Sequence, residues 1–207
     1  MAVGRPREFD VGKAIDRAMT LFWRKGYEGT SLTDLTAALG ITRPSLYAAF
    51  GNKEALFHQV LDRYVEAPSR YVADALKASS ALEVVERLLR GAIKLNTNPR
   101  HPGCLMVQDA QACGNETEAV RRDVIAKLLA GEQAIAERLR RAKKDGDLPP
   151  DANPAVLARY LRSVVYGIAV QAAAGATVSE LNEVAGIALS AWPGHPKARS
   201  GQSKRVR

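Results

Sequence analysis

The chain is poor in cysteine, histidine and aromatic residues, and it has no long apolar run. Its two cysteines, Cys104 and Cys113, in 207 residues are too few for a disulfide framework, and their spacing matches no zinc signature. The three histidines, His58, His101 and His195, are scattered, so neither a metal site nor a cofactor is expected. No stretch approaches the ~18 apolar residues of a membrane span. The opening MAVGRPREFD lacks the apolar core of a secretion signal, so a cytoplasmic protein with no membrane partner is expected. Strand-like alternation is missing throughout. So are a phosphate-binding glycine loop, a nucleophile elbow and a paired set of metal ligands. The carboxylates are spread along helix surfaces. An enzyme is not expected.

Net charge is +8, but its placement matters more than its size. Residues 1–64 carry nine Lys/Arg against seven Asp/Glu, and residues 65–192 carry sixteen against fifteen. Residues 193–207 carry five bases and no acid. That tail is rich in Pro, Gly and Ser and reads as a disordered basic segment. The bulk charge is therefore poor support for nucleic-acid binding, which must be argued from a motif.

The motif lies at Thr30–Phe50, TSLTDLTAALGITRPSLYAAF. Ser31 suits an N-cap, and Asp34 three residues on makes a capping-box pair. Leu32, Leu35, Ala38 and Leu39 recur at helical spacing. Gly40 follows them, where a left-handed residue ends a helix at no steric cost. Thr42 can cap a second helix with Pro44 in its first turn, where the missing N–H is harmless. Leu46, Ala49 and Phe50 give that helix an apolar side, while Arg43, Ser45 and Tyr47 stand opposite. Two helices joined by a short Gly-containing turn form a helix-turn-helix, whose second helix enters the DNA major groove. Asp10 caps a support helix running to Lys25, which completes a three-helix head. Before it, Gly4-Arg5-Pro6-Arg7 reads as a basic arm, with Arg5 suited to a phosphate or minor-groove contact. After it, Lys53 falls in the first turn of a fourth helix capped by Asn52. The dipole disfavours a cation there unless a phosphate approaches.

The rest reads as helices as well. The fourth is expected to continue past Ser69 with a bend near Pro68. Others are expected at 81–96, 104–113, 115–145, 153–172 and 178–192, giving an all-α protein of about nine helices. The division expected is 1–51 for the head (arm 1–9), 52–192 for a second helical domain and 193–207 for the tail. The last two helices, about 153–192, are apolar over more than one face and rich in small residues, which suits a homodimer built as a four-helix bundle.

The residues Gly40, Ile41, Leu46, Tyr47, Phe50, Lys53, Glu54 and Leu56, with the preceding KGYEGTSL, resemble the TetR/AcrR family of bacterial transcriptional regulators. The GCLM stretch at Gly103–Met106 is similar to stretches in several members. By that resemblance Thr42, Arg43, Ser45, Leu46 and Tyr47 face the major groove, with Arg43 suited to a guanine edge and Pro44 to a thymine methyl. Thr30, Ser31, Tyr47 and Lys53 are implied to contact phosphate. The resemblance further implies a ligand-responsive homodimeric repressor that is released from a palindromic operator by a small molecule. Its pocket candidates are Tyr64, Tyr71, Met106, Gln108, Gln111, Tyr166 and Gln171. Alternatives are a ligand-independent regulator, an activator, or a thiol-based electrophile sensor acting through Cys104, which lies beside Arg100 and His101.

Overall fold

The computed structural model describes residues 10–110 and 118–194. The expected basic arm with Arg5, the residues Gln111 and Cys113, and the basic tail lie outside the described residues. Among those described there are ten helices and no strand.

The head is built by local capping. Helix α1 (Val11–Lys25) is capped by Asp10, which accepts from the Lys13 amide, and Gly26 ends it at φ 70°. Helix α2 (Leu32–Leu39) opens on the full capping box of Ser31 and Asp34 and ends at Gly40 in the left-handed region. Helix α3 (Arg43–Phe50) follows after three residues, with Thr42 accepting from the Ser45 amide. Asn52 caps α4 (Lys53–Glu66) through the Ala55 amide.

The fourth helix does not run on past Ser69. It stops at Glu66, and after a turn through Pro68 a separate short helix, α5 (Arg70–Ala75), begins. Proline cannot extend the hydrogen-bond ladder, so the expected bend is a break. Helix α6 (Ala81–Asn96) and the short α7 (Leu105–Asp109) lead to α8 (Glu118–Lys144). Then come α9 (Pro154–Ala173), capped by Asn153, and α10 (Val178–Ser190), opened by the Thr177–Glu180 capping box.

Two apolar clusters organise the chain. The first joins α1–α3 through Phe22, Trp23, Leu35 and Leu46 to the inner face of α4, to Leu105 and Met106 of α7, and to Val120 and Val124 of α8. The second joins α5, α6, α9 and α10 to the later half of α8, where Ile135 and Leu139 sit. Helices α4 and α8 thus tie the head to the body. On α6, Gly91 lets the Tyr71 ring lie against the helix: a Cβ there would stand 2.6 Å from Tyr71 Cγ.

The outer side of the body is uncovered. On α9, Val156, Tyr160 and Val170 are exposed, and on α10 Val184 and Ile187, the last at 70%. With Ser163 and Gly167, also exposed, the α9 residues recur at alternating spacings of four and three, the seam pattern of helices that pack at a shallow angle.

Candidate DNA-reading face and effector cavity

Helix α3 is held by its back. Leu46 is fully buried and Phe50 nearly so, while Thr42, Arg43, Pro44, Ser45 and Tyr47 are exposed. The expectation that Leu46 faces a groove is therefore corrected: it is a core residue at 0% exposure. Burying such a side chain is worth ~1.5–3 kcal/mol, which fixes the helix register and turns its neighbours outward. Arg43 reaches back to α2, donating from Nη2 to Thr33 Oγ1 at 3.1 Å. The hydroxyls of Thr42 and Ser45 bond one another at 2.9 Å.

The flanking residues divide. Ser31 is exposed but occupied in its capping box, its hydroxyl donating to Asp34 at 2.8 Å. Lys25 bonds the same carboxylate at 2.7 Å. The Lys25 and Ser31 bonds hold the Asp34 carboxyl far below the ordinary carboxylate range. Thr30 was expected at a phosphate, but it is fully buried and its hydroxyl donates to the Gly26 carbonyl at 2.7 Å. It serves the α1–α2 turn and does not reach a ligand. Lys53 lies over the Tyr27 ring, 4.2 Å from its centroid, a cation–π contact that steers its ammonium at the start of α4.

The cavity lies in the body against α4. It encloses about 400 Å³ between α4, α5, α6, α7, α8 and α9. Four of the expected residues line it: Tyr64, Tyr71, Met106 and Tyr166. Cys104 lines it too, and Tyr64 donates its hydroxyl to the Cys104 sulfur at 3.3 Å. Two expectations are corrected. Gln108 is exposed on the outer side of α7 and is absent from the lining. Gln171 lies in a separate surface groove between α9 and α10, with Gly167 and Leu181. Both are polar residues with water available, so nothing drives them inward. His101 does not flank the thiol as a cation would. Its ring stacks on Trp23, with centroids 4.1 Å apart.

Sequence reasoning missed Arg162 and Asn96, which also line the cavity. Arg162 is only 7% exposed, and its guanidinium donates from Nε and Nη2 to the Tyr166 hydroxyl at 3.1 and 2.5 Å. A signal was present, since Arg162 stands between Leu161 and Val165 on the buried stripe of α9. Asn96 donates from Nδ2 to the Ala92 carbonyl, while its buried Oδ1 finds no protein partner.

Two further bonds join head to body. Trp23 of α1 donates its indole N–H to the Gly103 carbonyl at 2.9 Å. The Tyr27 amide donates to Asp109 Oδ1 at 2.8 Å. Asp109 is 3% exposed, and burial pushes its carboxyl up to about 6, against the lowering effect of the Tyr27 bond.

Comparison with known proteins agrees with this architecture. Residues 14–60 match the family model described as bacterial regulatory proteins, tetR family, and residues 81–185 match the tetracyclin repressor-like C-terminal domain. The chain is 32% identical over 195 residues to the HTH-type transcriptional repressor ComR of Escherichia coli K12, covering 92% of each. It is 31% identical to the repressor BdcR of the same organism, over 89% of this chain and 90% of that one. Among solved structures, a cysteine-substituted CifR in complex with 26 bp double-strand operator DNA is 43% identical, with a TM-score of 0.87 over 91% of this chain and 100% of that one.

Proposed function

The chain belongs to the TetR family of bacterial regulatory proteins, and from that premise we propose that it is a homodimeric repressor released from a palindromic operator by a small molecule. It is a DNA-binding transcriptional regulator and not an enzyme. The observation that carries the operator reading is α3 itself, anchored by Leu46 and Phe50 with Arg43, Pro44, Ser45 and Tyr47 outward. An eight-residue helix reaches few base pairs, so a useful affinity needs two heads on two half-sites. The seam of Val156, Tyr160, Gly167 and Val170 on α9, with Val184 and Ile187 on α10, supplies the pairing surface. Gly167 and Gly186 face open space, so a second copy can approach closely there.

Helix α4 is the lever. Leu56 and Phe57 are set in the head's core, while Tyr64, toward the other end of the helix, lines the cavity. A ligand shifts the head only by binding the operator-bound and free arrangements unequally. The proposed division is 1–51 for the head and 52–192 for the body, with α4 packing into both parts.

Footprinting of the purified protein on DNA flanking its own gene tests the reading. Protection of an inverted repeat is expected, and Arg43→Ala should weaken binding by about tenfold or more, in line with ~1–3 kcal/mol for a lost base contact. Unchanged binding by that variant rejects the recognition face. Light scattering of Gly167→Leu should show monomers if the seam is the dimer contact.

A second reading is favoured by Cys104 lining the cavity. An α,β-unsaturated carbonyl compound entering it would be attacked by the sulfur: a C–S bond forms at the β-carbon as the C=C π bond breaks, and the thiol proton, exchanged through solvent, ends on the α-carbon. Cys104→Ser should then abolish release of DNA by electrophiles while leaving operator affinity intact.

A further inference from the structure

We propose that the effector is a small organic anion, a carboxylate on an apolar or aromatic body, whose charged end is taken by Arg162. This rests on the reading of the cavity as the effector site and adds the chemical class.

Arg162 is buried, faces the cavity, and has no carboxylate within ion-pair distance among the described residues. Its partner is a phenol, the Tyr166 hydroxyl, and its guanidinium also lies 4.5 Å from that ring's centroid. Burial holds the phenols of Tyr64, Tyr71 and Tyr166 above their ordinary range, so none ionises near neutral pH to balance the charge. The acids nearby are engaged elsewhere or wet. Glu132 bonds Arg159 at 3.3 Å, and Asp62 at the cavity's rim bonds Lys127 at 2.6 Å. Glu66 is exposed. A buried guanidinium without a counter-ion is costly, and its planar fork matches a carboxylate.

Asn96 is 2% exposed and lines the same cavity, and its Nδ2 donates one N–H to the Ala92 carbonyl. Its Oδ1 has no protein donor, so it asks the ligand for a hydroxyl or an N–H. Most of the remaining lining, including Val72, Leu128, Val165 and Ala169, is apolar and suits a hydrocarbon or ring, and Lys127 at the rim is held by Asp62. The class is therefore a hydroxylated or amide-bearing carboxylic acid.

Equilibrium dialysis of the full chain near neutral pH against phenylacetate, 3-phenylpropionate and 4-hydroxyphenylacetate, each beside its neutral amide, tests this. At least one acid should bind about tenfold tighter than its amide. Arg162→Gln should erase that preference, and Arg162→Lys, which keeps the charge, should retain most of it. Asn96→Leu should remove any advantage of the hydroxylated acid, and circular dichroism confirms that each variant is folded. Amides binding as well as acids, an undiminished preference in R162Q, or no binding of any probe overturns the anion inference. Equal binding of the hydroxylated acid by N96L overturns the donor assignment. The same compounds are then added to the operator complex. Release by an amide leaves the effector reading standing without the anion, whereas failure of the protein to bind any operator removes the repressor reading whatever the dialysis shows.

Discussion

The two ends of α4 meet very different surroundings. At its start, the head has nearly every polar group matched locally. Ser31 and Asp34 satisfy each other, Thr42 caps α3, Asn52 caps α4, and the buried Thr30 hydroxyl is bonded to Gly26. In the body, the α6–α7 region leaves three buried atoms without a protein partner: Asn96 Oδ1 in the cavity, and His101 Nδ1 and Asp109 Oδ2 at the joint with the head, beside Trp23 and Tyr27. Both regions have apolar packing, so packing does not distinguish them. Polar satisfaction does. A reader must present one geometry to DNA, and saturated hydrogen bonding enforces one geometry. A sensor must change its balance when something arrives, and unmatched groups give an arriving molecule something to act on.

The largest expected effect is at Leu46. Leu46→Ala should cost about 2–5 kcal/mol, read as an earlier denaturant midpoint, because the head depends on that anchor to hold α3. A change under half a kcal/mol would mean that α3 is held by its caps alone.

Asp109 sharpens the other side. Its carboxyl in the folded protein is raised to about 6 from an ordinary 3.8. Between those values the folded state keeps a proton that the unfolded chain has released. The stability it contributes is therefore full below about pH 4 and lost as pH rises through about 6, by roughly 1–3 kcal/mol. Asp109→Asn should flatten that slope and be the more stable form near neutral pH. Denaturant curves of both forms at several pH values check this, and parallel pH profiles would refute it.

Smaller effects follow. Ser31→Ala removes half of a capping box and should cost about 1 kcal/mol, visible as a lowered Tm with little pH dependence. Tyr64→Phe deletes the hydroxyl bonded to Cys104 and should change stability by about 1 kcal/mol or less. The same variant should raise the alkylation rate of Cys104, measured by mass spectrometry, because the sulfur no longer carries that bond. An equal rate would show that the hydroxyl does not govern the thiol.

The head was readable from sequence because its determinants are local. Ser31 with Asp34, Gly40 and Thr42 with Pro44 act within one turn of themselves, and the structure shows each in that role. Thr30 and Leu46 misled because position along a motif says nothing about depth. Both stand beside exposed residues, yet both are fully buried. The cavity was legible only in part. Tyr64, Tyr71, Met106 and Tyr166 are large and partly apolar, so burial carried them inward, while Gln108 and Gln171 stayed in water. Asp109 and Trp23 were not anticipated as joints, because their partners Tyr27 and Gly103 lie about eighty residues away in sequence. At Pro68 the sequence pattern predicts a bend, but without an amide N–H the chain breaks the helix outright after Glu66.

Gly91 gives the cavity an adjustable wall. It lies outside the lining, yet the lack of a side chain there is what lets the Tyr71 ring rest against α6. Adding a single methyl group at that position pushes the ring toward the space an effector would fill. If the cavity is the effector site proposed above, the protein carries behind it a position where one carbon atom stands in for the signal. Variants at Gly91 are the natural place to look for regulators that respond at a different threshold, or that no longer wait for their molecule at all.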